Sequence, residues 1–227
     1  MPALPADATL RSSLHEHPYF AGLPQDRLEA LAALAVRRGF AAGELLFLEG
    51  DPCAGLWIVA AGRVKIYKIS VEGREHILHM VGPGQSFNDI AALDGGENPA
   101  SAAALSEGLA WVIASADLLA FLRSEIDLAL GVIAGLSERV RALIQQIEDL
   151  ALYAVPARLA RFLLAQLETP ALDGPGVTRA AIAAYLATTP ESVSRTLRML
   201  EEAGAIRFDR HRIVIVNEDL LRAIAQL

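Results

Sequence analysis

The chain has 227 residues, enough for one large domain or two small ones with a real core. Its longest apolar stretch, LALGVIAGL at 128–136, is too short to span a bilayer, and its single cysteine, Cys53, excludes an intramolecular disulfide, a multi-cysteine zinc site and a cysteine-ligated iron–sulfur cluster. From Ala154 onward nine arginines and no lysine face eight carboxylates, a net of +1, so the first 153 residues carry −8 of the overall −7 and the C-terminal part is free to meet an anionic partner.

The N-terminus, MPALPADATLRSS, lacks a basic region followed by an apolar core, so no secretory signal is expected and a reducing cytoplasm is the simplest location. A helix is predicted over 24–38, with Pro24 in its first turn and Leu28, Leu31, Leu34 and Ala35 at helical spacing. Between Phe40 and Val112 the pattern changes to short apolar runs (ELLFLEG, GLWIVAAG, RVKIYKI, EHILHMV, LAWVI) divided by Gly43, Gly50, Gly62, Gly73 and Gly82-Pro83-Gly84. Short strands with glycine turns predict a β-sandwich or barrel-like roll.

A long helix follows. Ile126, Leu130, Ile133, Leu136, Val140, Leu143, Ile147 and Leu150 recur in steps of three and four, with charged and amide side chains between them. The alternative is a helix packed on its own domain, but so regular a seam needs an equally long partner, which predicts a homodimeric coiled coil. A second domain starts near Val155-Pro156. In it Thr178 can cap a short helix, ATT forms a turn, and TTPESVSRTLRML opens another helix, with either Thr188 and Glu191 as a capping box or Thr189 before Pro190 as the cap. Gly204 stops that helix, AIRFDRHRIVIV reads as a two-stranded hairpin, and Asn217 caps a last helix.

Two helices joined by a tight turn, with a hairpin behind, make a winged helix-turn-helix. Ile182, Leu186, Val193 and Leu197 then face inward, leaving Glu191, Ser194, Arg195 and Arg198 outward near the N-terminal part of the second helix, where base edges are met. Arg can donate two hydrogen bonds to guanine, and Glu can accept from cytosine N4. A solvated i,i+4 pair, Glu191 with Arg195, would explain a lone helix equally well; the preceding helix, the turn and the arginine-bearing hairpin favour DNA.

The stretches GELLFLEGDPCAGLWIVAAGRVKIYK, GREHILHMVGPGQSF, IEDLALYAVPARLARFLL and TRAAIAAYLATTPESVSRTLRMLEEAGAI together resemble the CRP/FNR superfamily of bacterial transcription regulators, over nearly the whole chain from about residue 20 to 224. The resemblance implies an α+β protein: a β-roll sensor of the cyclic-nucleotide-binding type with an N-terminal helix (1–122), a dimerisation helix (123–153) and a winged helix-turn-helix (154–227). It makes Glu191, Ser194 and Arg195 the base-reading residues, with TTGA-like palindromic half-sites, because Glu, two residues, then Ser-Arg is the FNR pattern. The cAMP-receptor branch carries an Arg before the Glu, where this chain has Pro190. Supporting or backbone contacts fall to Thr178, Arg179, Thr189, Ser192, Arg198, Arg207, Arg210 and Arg212. Ala187 departs from the family, in which many members carry Gly; a left-handed residue there would be strained by its Cβ, which predicts a reshaped turn.

By the same resemblance an effector would occupy Phe87, Asn88, Asp89, Pro99, Ala100, Ser101, Leu143 and Ile144. Cyclic-AMP-binding members have Gly-Glu for the ribose, Arg-Ser for the phosphate and Thr-Ser on the dimer helix; this chain has Asn88-Asp89, Pro99-Ala100 and Leu143-Ile144. Without that guanidinium, and with Asp89 and Glu97 nearby, cAMP is not expected and no cofactor is predicted. Heme sensing would draw on His15, His17, His76 or His79, for which surface or hydrogen-bonded roles are the simpler reading; His76 and His79 point to opposite faces of a strand, and no metal site is expected. No cluster suggests catalysis. The expectation is a cytoplasmic, homodimeric, DNA-binding activator that contacts RNA polymerase; the alternative is a small-ligand-binding regulatory module of a partner enzyme, which would not need the winged helix.

Overall fold

The computed structural model describes residues 10, 13–168, 178–209 and 213–227. In chain order the elements are α1 (Gln25–Leu34), β1 (Val36–Phe40), β2 (Leu45–Phe47), β3 (Leu56–Ala61), β4 (Val64–Ile69), β5 (Glu75–Val81), β6 (Ser86–Phe87), α2 (Asp89–Asp94), β7 (Ser101–Ala104), β8 (Gly108–Ile113), α3 (Ser115–Ser124), α4 (Ile126–Leu152), α5 (Val155–Glu168), α6 (Arg179–Tyr185), α7 (Pro190–Glu202), β9 (Ile206–Phe208), β10 (Ile213–Ile215) and α8 (Glu218–Ala225). They fall into two units: residues up to Lys68 with Met80–Ala142, and Ile69–His79 with Leu143–Leu227.

The roll consists of two four-stranded antiparallel sheets, ordered β1-β8-β3-β6 and β2-β7-β4-β5. Strand β3 explains why its run LWIV is apolar without alternation. Trp57 and Val59 enter a core with Phe40, Val64, Phe87, Ala102 and Ala104, while Leu56 and Ile58 face a second core. Successive side chains point to opposite faces, so a strand covered on both faces is apolar at every position. The second core takes Leu14, Phe20 and Leu31 from the N-terminal region and Leu128 and Val132 from α4. Full burial of one such aliphatic side chain stabilises by ~1.5–3 kcal/mol.

Two elements differ from the sequence expectation. Helix α1 ends at Leu34 with Pro24 at its N-cap, and Val36, Arg37 and Arg38 instead pair with Val112, Trp111 and Ala110 of β8. Hydrogen bonding to a strand distant in sequence outweighs a local helical preference of a few tenths of a kcal/mol per residue, a ~0–0.7 kcal/mol scale. Strand β7, SAAA, pairs with β2 and β4 although alanine favours strands little; only small side chains are found there, all buried.

Helix α4 buries Leu128 and Val132 and leaves Ile126, Leu130, Ile133, Val140, Leu143, Ile144, Ile147 and Leu150 exposed. Leu136 departs from the predicted seam: it is partly buried against the second core, on the side of the helix that carries Leu128 and Val132.

In the second unit, Arg161 on α5 ties three elements together. It pairs with Asp149 at 3.1 Å, donates to Ala225 O at 2.8 Å and lies 3.9 Å from the centre of the Tyr153 ring. One of the arginines that give this part its positive balance is thus spent on structure.

Candidate nucleic-acid interface and effector position

Helices α6 and α7 are each set by a threonine cap. Thr178 Oγ1 accepts from Ala181 N at 3.1 Å, and Thr189 Oγ1 accepts from Ser192 N at 3.3 Å with Pro190 opening α7. Of the two caps offered by the sequence, Thr189 is the one used. Between the helices Thr188 N donates to Ala183 O at 2.9 Å, and Ala187 adopts φ +48°. Ala187 therefore takes the left-handed conformation and bears the Cβ strain.

Ile182, Leu186, Val193, Leu197 and Leu200 are buried, which fixes the rotation of α7 about its axis. Glu191, Arg195 and Arg198 are consequently exposed, and Ser192 and Ser194 half-buried. The Glu191 carboxyl is held below its usual range, first by its own backbone amide and then by the Thr189 hydroxyl. The outer face thus offers an ionised acceptor in the first turn and a guanidinium one turn later. Gly204 ends α7 at φ +81°, with Ala205 N donating to Leu200 O at 2.9 Å, and the chain enters the hairpin.

In that hairpin Ile206 pairs with Ile215 and Arg207 with Val214. Arg207 is exposed. Phe208 N donates to Glu201 Oε1 at 3.2 Å, and the Arg179 guanidinium lies 5.4 Å from the Phe208 ring centre. Arg179, expected at the DNA backbone, is also a brace between α6 and the wing. Arg210 and Arg212 lie outside the described residues.

At the effector position Phe87, Asp89, Ala100 and Ser101 are buried and Pro99 is exposed, all at one corner of the roll; Leu143 and Ile144 belong to the other unit and are exposed on α4. Asn88 has φ +66°, and its amide donates to Asn98 Oδ1 at 2.9 Å, to Cys53 Sγ at 3.2 Å and to Gly55 O at 3.4 Å. Ser101 Oγ accepts from Glu49 N at 3.0 Å. Asp89 pairs with Arg139 of α4 and accepts from Ser86 Oγ at 2.8 Å.

That pair corrects the electrostatic argument from sequence. Asp89 is not a bare anion at this corner, because a guanidinium from fifty residues downstream neutralises it. Arg139 reads in the sequence as one more charge on the polar side of a long helix, and only the packing of α4 on the roll reveals it. Among the histidines, His17 is buried, with Nδ1 accepting from Tyr19 N at 3.2 Å, and His76 Nδ1 lies 2.9 Å from Ala184 O. No cluster of three or more histidine, cysteine or acidic side chains able to hold a metal occurs among the described residues.

Residues 37–125 match the cyclic nucleotide-binding domain family, and residues 157–224 match the Crp-like helix-turn-helix domain family. The cyclic AMP receptor protein of Thermus thermophilus is 30% identical over 92% of this chain and 96% of its own length. The chain belongs to the CRP/FNR family of transcription regulators.

Other CRP/FNR members are similar over most of their length. The CRP-like cAMP-activated global transcriptional regulator of Mycobacterium tuberculosis is 25% identical, covering 89% of this chain and 93% of the relative. The structure of FixK2 from Bradyrhizobium japonicum has a TM-score of 0.76 at 25% identity, covering 84% of this chain and 96% of FixK2. CRP/FNR proteins are DNA-binding regulators rather than enzymes, and this chain is one of them. Among its described residues, no helix is long and apolar enough to cross a membrane.

Proposed function

We propose that this CRP/FNR regulator is a cytoplasmic homodimer that pairs through α4, reads palindromic TTGA-like half-sites with Glu191, Ser194 and Arg195, and activates transcription by contacting RNA polymerase without cAMP. In this reading residues 1–122 are the sensor, 123–153 the dimerisation helix and 154–227 the DNA-binding domain. Arg198, Arg207, Thr189 and Ser192 hold the DNA backbone or support the reading residues, as would Arg210 and Arg212. The observation that carries the reading is the rotational setting of α7: one face is anchored in the core, and the other presents Glu191 and Arg195 to solvent. Independence from cAMP is supported by Pro99 and Ala100, which bring no guanidinium to a phosphate, and by the Asp89–Arg139 pair, in which the Arg139 guanidinium is already engaged.

The test is a competition assay over randomised half-sites at two salt concentrations. Arg195→Ala should cost ~1–3 kcal/mol on the preferred site and relax one guanine position. Arg207→Ala should weaken all sequences about equally and lower the salt slope by roughly one unit. Loss of affinity by one common factor in Arg195→Ala would remove its base-reading role.

A further inference from the structure

Tyr19 joins three parts of the first unit. Its backbone carbonyl rests on Gly131 of α4, where a Cβ would stand 2.5 Å from Tyr19 O, and its ring fills the place where a Cβ of Gly135 would be. One turn further along α4, Arg139 pairs with Asp89, which also accepts from Ser86 Oγ at 2.8 Å, and the Tyr19 hydroxyl lies within electrostatic reach of Arg139, Asp89 and Ser86. His17 backs this knot: Tyr19 N donates to its Nδ1, and the two rings meet edge to face at 4.7 Å. Leu14 and Phe20, on either side, are fully buried.

Asp89 is buried in this knot and Arg139 partly exposed, so the carboxylate depends on its partners. A satisfied polar network in a low dielectric is directional, and removing one partner leaves the others unpaired. Apolar contacts between a helix and a sheet tolerate sliding; a ring seated on two glycines one turn apart and an ion pair one turn beyond tolerate a single register. Asp89 follows directly on Asn88, whose left-handed backbone and triple hydrogen bonding shape the corner of the roll. The position of α4 and the shape of that corner are thus tied through adjacent residues.

We infer that Tyr19, Arg139 and Asp89 form a latch that fixes the register of α4 on the roll, so that the chain's own N-terminal strap and ion pair set the DNA-binding state that an effector would otherwise select. The inference rests on the proposed cAMP-independent, dimeric reading. All three are positioning residues, acting on DNA through α4.

Tyr19→Phe removes one oxygen, Asp89→Asn removes one charge, and Arg139→Met removes the other. Hydrogen exchange of residues 13–23 and of α4, read by mass spectrometry, is combined with specific-DNA affinity read by fluorescence anisotropy without nucleotide. Tyr19→Phe and Asp89→Asn should each speed exchange of the strap about tenfold and weaken specific DNA binding by a similar factor. Exchange in α6 and α7 should be unchanged. The double variant Asp89→Asn with Arg139→Met should lose much less than the product of the two single losses. Unchanged strap exchange, independent losses in the double variant, or faster exchange with unaltered DNA affinity would each overturn the latch. Absence of specific DNA binding by the unmodified protein would instead overturn the proposed function, and strap exchange and its coupling would still show whether the knot fixes α4.

Discussion

Ala187 and His17 are two residues whose surroundings work against their intrinsic preferences. Ala187 holds φ +48° in the turn between α6 and α7. An L-residue pays ~1–2 kcal/mol in that region, and glycine loses ~0.5–1 kcal/mol more than alanine on ordering, so Ala187→Gly should stabilise the domain by ~0.5–1 kcal/mol. Chemical denaturation reads this directly, and a destabilised variant would mean that the methyl group contributes packing the turn needs. His17 is buried, and desolvation, followed by the charge of Arg139, lowers its pKa from 6.5 to about 4. The unfolded chain therefore takes up this proton at a higher pH than the folded one. The contribution is full above pH 6.5 and is lost as the pH falls from there towards 4, ~3 kcal/mol in all. His17→Gln should flatten that part of the stability profile, measured as urea midpoints at pH 7, 5.5 and 4.5. Parallel profiles for the two proteins would mean the imidazole is not held neutral. The Tyr19 hydroxyl is shifted the other way, up to about 12, chiefly by burial and then by Asp89, so its neutral form is the one the fold keeps.

At the scale of elements, α4 has two apolar faces in different surroundings. Leu128, Val132 and Leu136 pack on the roll, and Ile126, Leu130, Ile133, Val140, Leu143, Ile147 and Leu150 are offered outward. The outward row is too long and regular to remain in water at ease. On the homodimer reading, Ile147→Glu sets two like charges in a desolvated seam at a cost of several kcal/mol, and sedimentation should show monomers. A variant that stays dimeric would move the interface off α4. The seven-residue spacing of this face was legible in the sequence, as was the amphipathic character of α7, because both are local patterns of period near 3.6. The end of α1 and the existence of β7 were not: Val36–Arg38 become a strand because β8 is beside them, and SAAA becomes one because two neighbouring strands leave space only for methyl groups.

For the molecule as a whole, calorimetry with cAMP and cGMP should show no binding tighter than roughly millimolar, for want of a free guanidinium at the phosphate position. Micromolar binding would mean that an arginine outside the motif, such as Arg139, reaches the ligand. The order of residues by itself determined the roll followed by a long helix and a winged helix-turn-helix, the caps at Thr178 and Asn217, and the polar face of α7. Each is written in neighbours a few positions apart, where periodicity and capping chemistry act. Only the tertiary structure decided that Arg161 is a structural tie, that Leu136 faces the roll, and that Asp89 has Arg139 for a partner. These depend on which groups a fold brings together out of water, and the strength of a charge or a hydrogen bond is set by that burial rather than by its place in the chain.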